Sequence, residues 1–395
     1  MRVSAEGRGA LIWFGAGISI AEIITGAYFA PLGLHRAVLA IVIGHVIGFA
    51  LLFAAGYIGS AAQKSAMEAT KLSYGVWGSR FFALLNVLQL VGWTGIMIYD
   101  GALSIHQITA ALPWLWPLII GALIIVWLAS GVPNIARLNV VSLTLLFALT
   151  LVLCKVVFFG KGAVLAVDTV RAEALSFGAA VELAVAMPLS WLPLVADYTK
   201  ESTHPFRISL VSSLVYCATS TWMYIIGLGA AIFTGEGNIA HIMAASGLGW
   251  AALIIVVLST VTTTFLDALS AGISFDTIHP KPGAKAVSVV VTLLGTAGAL
   301  LLPMDDITPF LYLIGSVFAP MAAVQFADYF IVRRDASGKA VDVARAILWL
   351  AGFALYRVSL GWDLPVGNTL PVMLIVAAAT VIVGKAEQYL RTAQR

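Results

Sequence analysis

The chain has 395 residues, of which 10% are charged and 61% hydrophobic, and its formal net charge is only +3. Soluble domains carry about 25% charged and 45–50% apolar residues, so the composition excludes an ordinary soluble domain. With no dense basic cluster, the slight positive excess excludes a nucleic-acid binder and reads as charge that orients a membrane protein.

A hydrocarbon core about 30 Å thick takes roughly 20 apolar residues per helix. The apolar runs are continuous rather than alternating, which argues for helices and against membrane strands. Twelve spans are predicted, at 10–32, 37–60, 80–111, 114–131, 136–158, 176–199, 207–234, 250–275, 284–302, 306–331, 343–359 and 369–386. The opening MRVSAEGRG leads into an apolar run without a small-residue cleavage pattern, so the first run is expected to be a retained span. Cys154 and Cys217 lie inside apolar runs and are expected to be buried thiols. One integrated helical bundle is expected rather than several domains.

An even number of spans puts both termini on one side. That side collects seventeen Lys and Arg residues, from Arg2 to Arg395, whereas the other holds Arg36, Lys155, Lys161, Arg171 and Arg357. This asymmetry places both termini in the cytoplasm.

Span 1 carries Gly15, Gly17, Glu22 and Gly26 within GAGISIAEIITG, and span 6 carries Pro188 and Pro193 within MPLSWLPLVADY. Proline removes a helix hydrogen bond and clashes with the preceding turn. Breaks in two helices five spans apart point to an inverted-repeat transporter with a midplane site, although glycine and proline kinks are also ordinary in membrane helices. Glu22 sits near the middle of span 1, where an uncompensated acid costs about 2.5–3.5 kcal/mol. It is expected to face a cavity, with a structural hydrogen bond to a neighbouring helix as the alternative.

In span 3, Gln89, Trp93 and Asp100 project onto one helical face. An indole offers a stacking plane and an amide offers both a donor and an acceptor, which suits a planar heterocycle with polar edges. His45 in span 2 is expected to be a hydrogen-bonded helix contact. In span 8, Ser259, Thr262 and Thr263 stand at i, i+3 and i+4, with Asp267 one turn on. Their oxygens suit Na⁺ beside an unwound helix, while hydroxyl stripes also glue membrane helices together. Asp100 and Asp267 are candidates for a proton or cation path, or for pairing with another helix. No metal-binding histidine cluster and no hydrolase, zinc-protease or P-loop motif occurs, so no enzyme is expected.

Several segments resemble the nucleobase:cation symporter-1 family: EATKLSYGVWGSR (68–80), QLVGW (89–93), VADYTKE (195–201) and QFADYFIVRR (325–334). GISIAEIITG and MPLSWLPLVADYTK further resemble its CytX branch of hydroxymethylpyrimidine transporters. The resemblance covers essentially the whole chain. It implies an all-α, LeuT-like fold of about 12 helices, with discontinuous helices 1 and 6. Residues 1–158 and 176–331 would be the inverted repeats, and 343–386 two additional helices.

The family's substrates are nucleobases, hydantoins and related small heterocycles, driven by Na⁺ or H⁺. By resemblance, Trp93 stacks on the ring and Gln89 supplies polar contacts. The Na⁺ site takes carbonyls of Gly15 and Ile18 and the side of span 8 bearing Ser259, Thr262 and Thr263. The expected substrate contacts are Glu22, Gln89, Trp93, Met187, Ser190, Trp191 and Thr264. Three positions depart from the family pattern. Pro188 stands where relatives place a second aromatic, Ser259 stands for an Asn of the cytosine branch, and Glu22 has no counterpart in the better-known branches. The expectation is a cation-coupled importer of hydroxymethylpyrimidine in a bacterial inner membrane, with no organic cofactor and no obligatory protein partner. Carriers of cytosine, another nucleobase or an allantoin-like compound are the alternative, and a channel is a weaker one.

Overall fold

The structure is a computed structural model that describes residues 4–109, 112–130, 132–159, 175–235 and 249–393. The topogenic residues Arg2, Lys161, Arg171 and Arg395 lie outside the described residues. Among those described, no strand occurs and the chain forms helices throughout.

In chain order these are α1 (Ala5–Gly17), α2 (Ile20–Ala27), α3 (Leu34–Ala62), α4 (Ala66–Ala69), α5 (Lys71–Thr109), α6 (Leu115–Ser130), α7 (Val132–Phe159) and α8 (Phe177–Trp191). There follow α9 (Val195–Thr199), α10 (Pro205–Thr234), α11 (Gly249–Ile278), α12 (Ala284–Leu301), α13 (Thr308–Phe326), α14 (Val343–Ser359) and α15 (Thr369–Ala393). Among the described residues, seven helices are long and apolar enough to cross a bilayer, or eight when α1 and α2 count as one bent span. Of the remaining predicted spans, three coincide with the shorter helices α6, α8 and α14, and the one at 136–158 with α7.

Serine recurs where helices begin. Ser4, Ser19, Ser65 and Ser176 each accept a hydrogen bond from a backbone N–H of the first turn, satisfying a donor that the helix leaves open.

The predicted break in span 1 falls at Ile18 and Ser19, which leave helical geometry, and the two segments meet at 49°. Span 6 is interrupted at 192–194, around Pro193. Pro188, expected to share in that break, instead stays inside α8. Its ring packs on Gly48 of α3, where any Cβ would lie 2.3 Å from the proline Cγ, so the missing side chain makes room for the ring.

The family-like segments anchor the helix ends. Asp197 of VADYTKE accepts the backbone N–H of Ala66 at 3.0 Å, which fixes the start of α4. The segment 68–80 bends at Gly75 (φ 75°), and the neighbouring backbone pairs with the 336–342 loop. Val76 N–H donates to Lys339 O and Asp342 N–H to Tyr74 O. An added Cβ at Gly75 would meet Lys339 O at 2.7 Å, so both φ and space require glycine. Asp328 of QFADYFIVRR receives the fully buried Arg345 guanidinium at 2.9 Å, and Arg345 also pairs with Glu387 at 2.8 Å. These pairs tie α14 and α15 to the end of α13.

A second tie lies near the opposite ends of the same helices. Glu182 of α8 is fully buried and accepts hydrogen bonds from Tyr356 Oη, from Thr369 Oγ1 at 2.6 Å and from the backbone N–H groups of Asn368 and Thr369 at 2.6 and 2.8 Å. A carboxylate at a helix N-terminus takes exactly those open donors, here the ones that begin α15. The last two helices are thereby bound to the first half of span 6.

Candidate functional site

The break in span 1 frees backbone oxygens that must find partners in a medium without water. Ser259 Oγ of α11 donates to Ile18 O at 2.7 Å, and Thr263 Oγ1 lies 3.5 Å from Gly15 O. Thr262 turns its hydroxyl to its own helix, donating to Leu258 O at 2.8 Å and Ser259 O at 3.1 Å. The five expected Na⁺-site residues thus gather at one seam between α1 and α11, with four of them in direct contact across it.

The interruption of span 6 is satisfied from α5. Gln89 Nε2 donates to Ser190 O at 3.0 Å and to Asn86 Oδ1 at 3.2 Å, and Asn86 Nδ2 donates to Pro193 O at 3.1 Å and Ser274 Oγ at 2.8 Å. Asn86 escaped the sequence reading, although it lies one helical turn before Gln89 on the same face.

Between the two breaks lies a small cavity lined by Glu22, Trp93, Met187, Ser190, Trp191, Thr263 and Asp267, together with Ala16, Ser19, Ala21 and Met97. Its volume of about 20 Å³ is close to what one water needs. A heterocyclic ring therefore enters only if the walls part. Trp93 lies edge-to-face with Phe310 at 5.5 Å, and Trp191 lies edge-to-face with Trp13 at 5.5 Å, so both indoles are braced from outside the cavity. Two expected contacts do not line it. Gln89 is directed to the span 6 break, although its Oε1 is buried without a donor, and Thr264 is fully buried with an unpartnered hydroxyl.

Glu22 is 1% exposed, and each carboxylate oxygen has a hydroxyl partner on α10: Tyr216 Oη to Oε1 at 2.7 Å and Ser220 Oγ to Oε2 at 2.7 Å. Glu22 therefore meets both expectations, a cavity on one side and hydrogen bonds to a neighbouring helix on the other. His45 is the helix contact anticipated, with Nδ1 2.8 Å from Ile41 O and Nε2 2.6 Å from Ser220 Oγ. Tyr216 and Ser220 were missed. Their spacing of i and i+4, continued by Tyr224, is the polar stripe on span 7 that could have marked them.

Asp267 is 4% exposed and faces the cavity with no hydrogen bond to any described residue. Asp100 is also buried, near Asp305 and Tyr28, and away from the cavity. Among the described residues, no group of three or more His, Cys, Asp or Glu side chains could hold a metal ion.

Comparisons with known proteins agree with this architecture. Residues 8–346 match the family model described as permease for cytosine/purines, uracil, thiamine, allantoin. The chain is 27% identical over 366 residues to the cytosine permease of Escherichia coli (strain K12), covering 92% of this chain and 85% of that one. It is 25% identical over 359 residues to the hydantoin permease of Microbacterium maritypicum, covering 82% and 72% respectively.

Among solved structures it superposes on Mhp1, a nucleobase-cation-symport-1 family transporter in a closed conformation with bromovinylhydantoin bound. The TM-score is 0.79 and the identity 21%, with 98% of this chain and 92% of that one covered. A Na⁺-coupled sialic acid symporter in a substrate-bound outward-open state gives a TM-score of 0.72 at 15% identity, with coverage of 98% and 90%. The fold is the all-helical, LeuT-like one.

Proposed function

This chain belongs to the nucleobase:cation symporter-1 family of membrane permeases, and from that premise we propose that it imports a pyrimidine together with a cation by alternating access. The substrate proposed is 4-amino-5-hydroxymethyl-2-methylpyrimidine. The observation that carries the reading is the convergence of two indoles and two acidic side chains on one small cavity between the broken helices.

In this reading the ring stacks on Trp93, while Trp191, Ser190 and Met187 close the span 6 side. Glu22 accepts from the exocyclic amino group. The buried, unpartnered Gln89 Oε1 and Thr264 hydroxyl become available as the walls part. The coupling cation, Na⁺ in this proposal, takes the carbonyls of Gly15 and Ile18 and the hydroxyls of Ser259, Thr262 and Thr263. Asp267 lies one turn from that seam, within the path between cation and substrate, and Asp100 lies further out along span 3.

Residues 1–158 and 176–331 act as inverted repeats and 343–386 as a two-helix appendage, giving twelve spans with both termini in the cytoplasm of a bacterial inner membrane. Cation binding favours the outward-open state, and a ligand shifts that equilibrium only through its differential affinity for the two states. Cation and pyrimidine must therefore raise each other's affinity by the same factor.

Cytosine is the second reading, favoured by the 27% identity to a cytosine permease across 92% of this chain. Counterflow in proteoliposomes tests both. Labelled 4-amino-5-hydroxymethyl-2-methylpyrimidine should exchange and be recovered unchanged, with cytosine a weaker competitor. Exchange of cytosine alone would select the second reading, and exchange of neither would reject both.

A further inference from the structure

Glu22, Ser220 and His45 form a chain of two short contacts through the bundle, Oε2 to Oγ at 2.7 Å and Oγ to Nε2 at 2.6 Å. All three are buried, at 1%, 0% and 3% exposure. The hydrogens available for this chain can be counted. His45 Nδ1 faces the carbonyl of Ile41 at 2.8 Å, and a carbonyl only accepts, so Nδ1 carries a hydrogen. The two remaining contacts need one hydrogen each, and the serine hydroxyl supplies one. The other must sit on His45 Nε2 or on Glu22 Oε2.

We propose that Glu22, Ser220 and His45 together form a proton-binding site, shared across spans 1, 7 and 2 and opening onto the substrate cavity through Glu22. With the proton at His45, an imidazolium donates to Ser220, whose hydroxyl donates to the Glu22 carboxylate. With the proton at Glu22, the acid donates to Ser220, whose hydroxyl donates to neutral Nε2. The two forms hold the same number of protons and differ by a concerted shift of two hydrogens. Loss of the proton leaves one contact with lone pair against lone pair. It also leaves an ionised carboxylate deep in the bilayer with no described Lys or Arg bonded to it, a costly arrangement.

Among the described residues, the surroundings supply no other compensating charge. On α10 the facing titratable groups are Tyr216, which donates to Oε1, together with Cys217 and Tyr224, whose ring lies 4.9 Å from that of His45. From α11 comes Asp267, an acid lining the same cavity; α5 contributes uncharged Trp93 and Met97; and Glu182 of α8 is turned to α15. The site rests on the geometry alone, and only its transport consequence rests on the symport reading. The shift to the His45-protonated form places a carboxylate in the cavity where a ring amino group needs an acceptor, so the proton becomes a second coupling ion.

The direct test is NMR of the full-length protein in lipid nanodiscs without substrate, labelled with ¹⁵N-histidine and ¹³C-glutamate. The His45 and Glu22 signals are assigned by their loss in His45→Gln and Glu22→Gln. At neutral pH the expected result is either His45 protonated on both ring nitrogens or Glu22 in its acid form. Neutral His45 beside ionised Glu22 would overturn the proposal, whatever the protein transports. The wild-type spectrum decides the matter, so a variant that folds poorly costs only an assignment. In proteoliposomes with Na⁺ equal on both sides, an acid exterior should drive wild-type accumulation of 4-amino-5-hydroxymethyl-2-methylpyrimidine, and His45→Gln should abolish that drive. Wild-type uptake indifferent to the pH gradient would refute proton coupling. No uptake at all would refute the substrate assignment, which the spectrum does not depend on.

Discussion

Ser259 Oγ meets the carbonyl oxygen of Ile18 at 2.7 Å, across a seam between residues 241 positions apart in the chain. A helix interrupted in the membrane must have its freed carbonyls satisfied, and here a hydroxyl of α11 does so. Both oxygens are hard donors, so in the proposed reading a cation engages their lone pairs once the hydroxyl turns its hydrogen aside and the two oxygens, 2.7 Å apart, separate.

Ser259→Ala and Thr263→Ala should therefore raise the Na⁺ concentration needed for half-maximal uptake. If each lost ligand matches a hydrogen bond to a charged group, about 1.5–3 kcal/mol, the rise is about 10- to 150-fold. Uptake titrated with Na⁺ at matched protein abundance checks this; a shift in abundance alone would leave only the helix-gluing role.

Trp93→Ala should weaken pyrimidine binding by about 1–3 kcal/mol, the range for a base stacked on an aromatic side chain. Equilibrium binding of the labelled pyrimidine measures it. Unchanged affinity would remove Trp93 from the site and assign it to packing against Phe310.

Glu182→Ala should destabilise the fold rather than the site. It strips the buried N–H groups of Asn368 and Thr369 of their acceptor, at about 1–3 kcal/mol for each donor left unsatisfied. The melting temperature in detergent should fall clearly, while Na⁺ affinity per folded molecule stays near wild type. A stable Glu182→Ala protein would show that α15 does not depend on this cap.

Asp342, in the loop before α14, carries a sign that can be worked out. Burial alone would raise its pKa, but hydrogen bonds from Arg334, Lys339 and the Arg345 N–H hold it down, from an ordinary 3.8 to about 2. A depressed folded-state value contributes stability above pH 3.8 that is lost as the pH falls through about 2. Asp342→Asn keeps a side chain able to cap the helix but removes the charge. Wild type should be the more stable at neutral pH, and the gap should close between pH 3.8 and 2. A gap that persists at pH 2 would assign the effect to packing.

Much of this architecture is legible in the sequence, because a bilayer leaves helices little choice and long apolar runs mark them. Gly15, Gly17 and Pro193 also mark where two of those helices give way. Glu22, Trp93, Met187, Ser190, Trp191, Thr263 and Asp267 converge on one cavity because each lies beside a break or on the face that packs against one. What local pattern does not reveal is the partner. Tyr216 and Ser220 reach Glu22 from 194 and 198 residues away, and Glu182 meets Thr369 from 187. The continuation of α8 through Pro188 depends on Gly48, a residue of another helix. Gln89 was read as a ring contact because its face was visible, whereas the carbonyl of Ser190 that takes its amide appears only once span 6 is seen to end there.

In the proposed reading, an ion seam between span 1 and α11 and a ring cavity between spans 1 and 6 share span 1 and Thr263, and so work as one unit. Calorimetric titration of the purified protein with 4-amino-5-hydroxymethyl-2-methylpyrimidine, once in Na⁺ and once in choline, measures that coupling directly. The account predicts tighter binding in Na⁺ by roughly 5- to 150-fold, the usual range of coupling between two sites. Equal affinity in both solutions would contradict it.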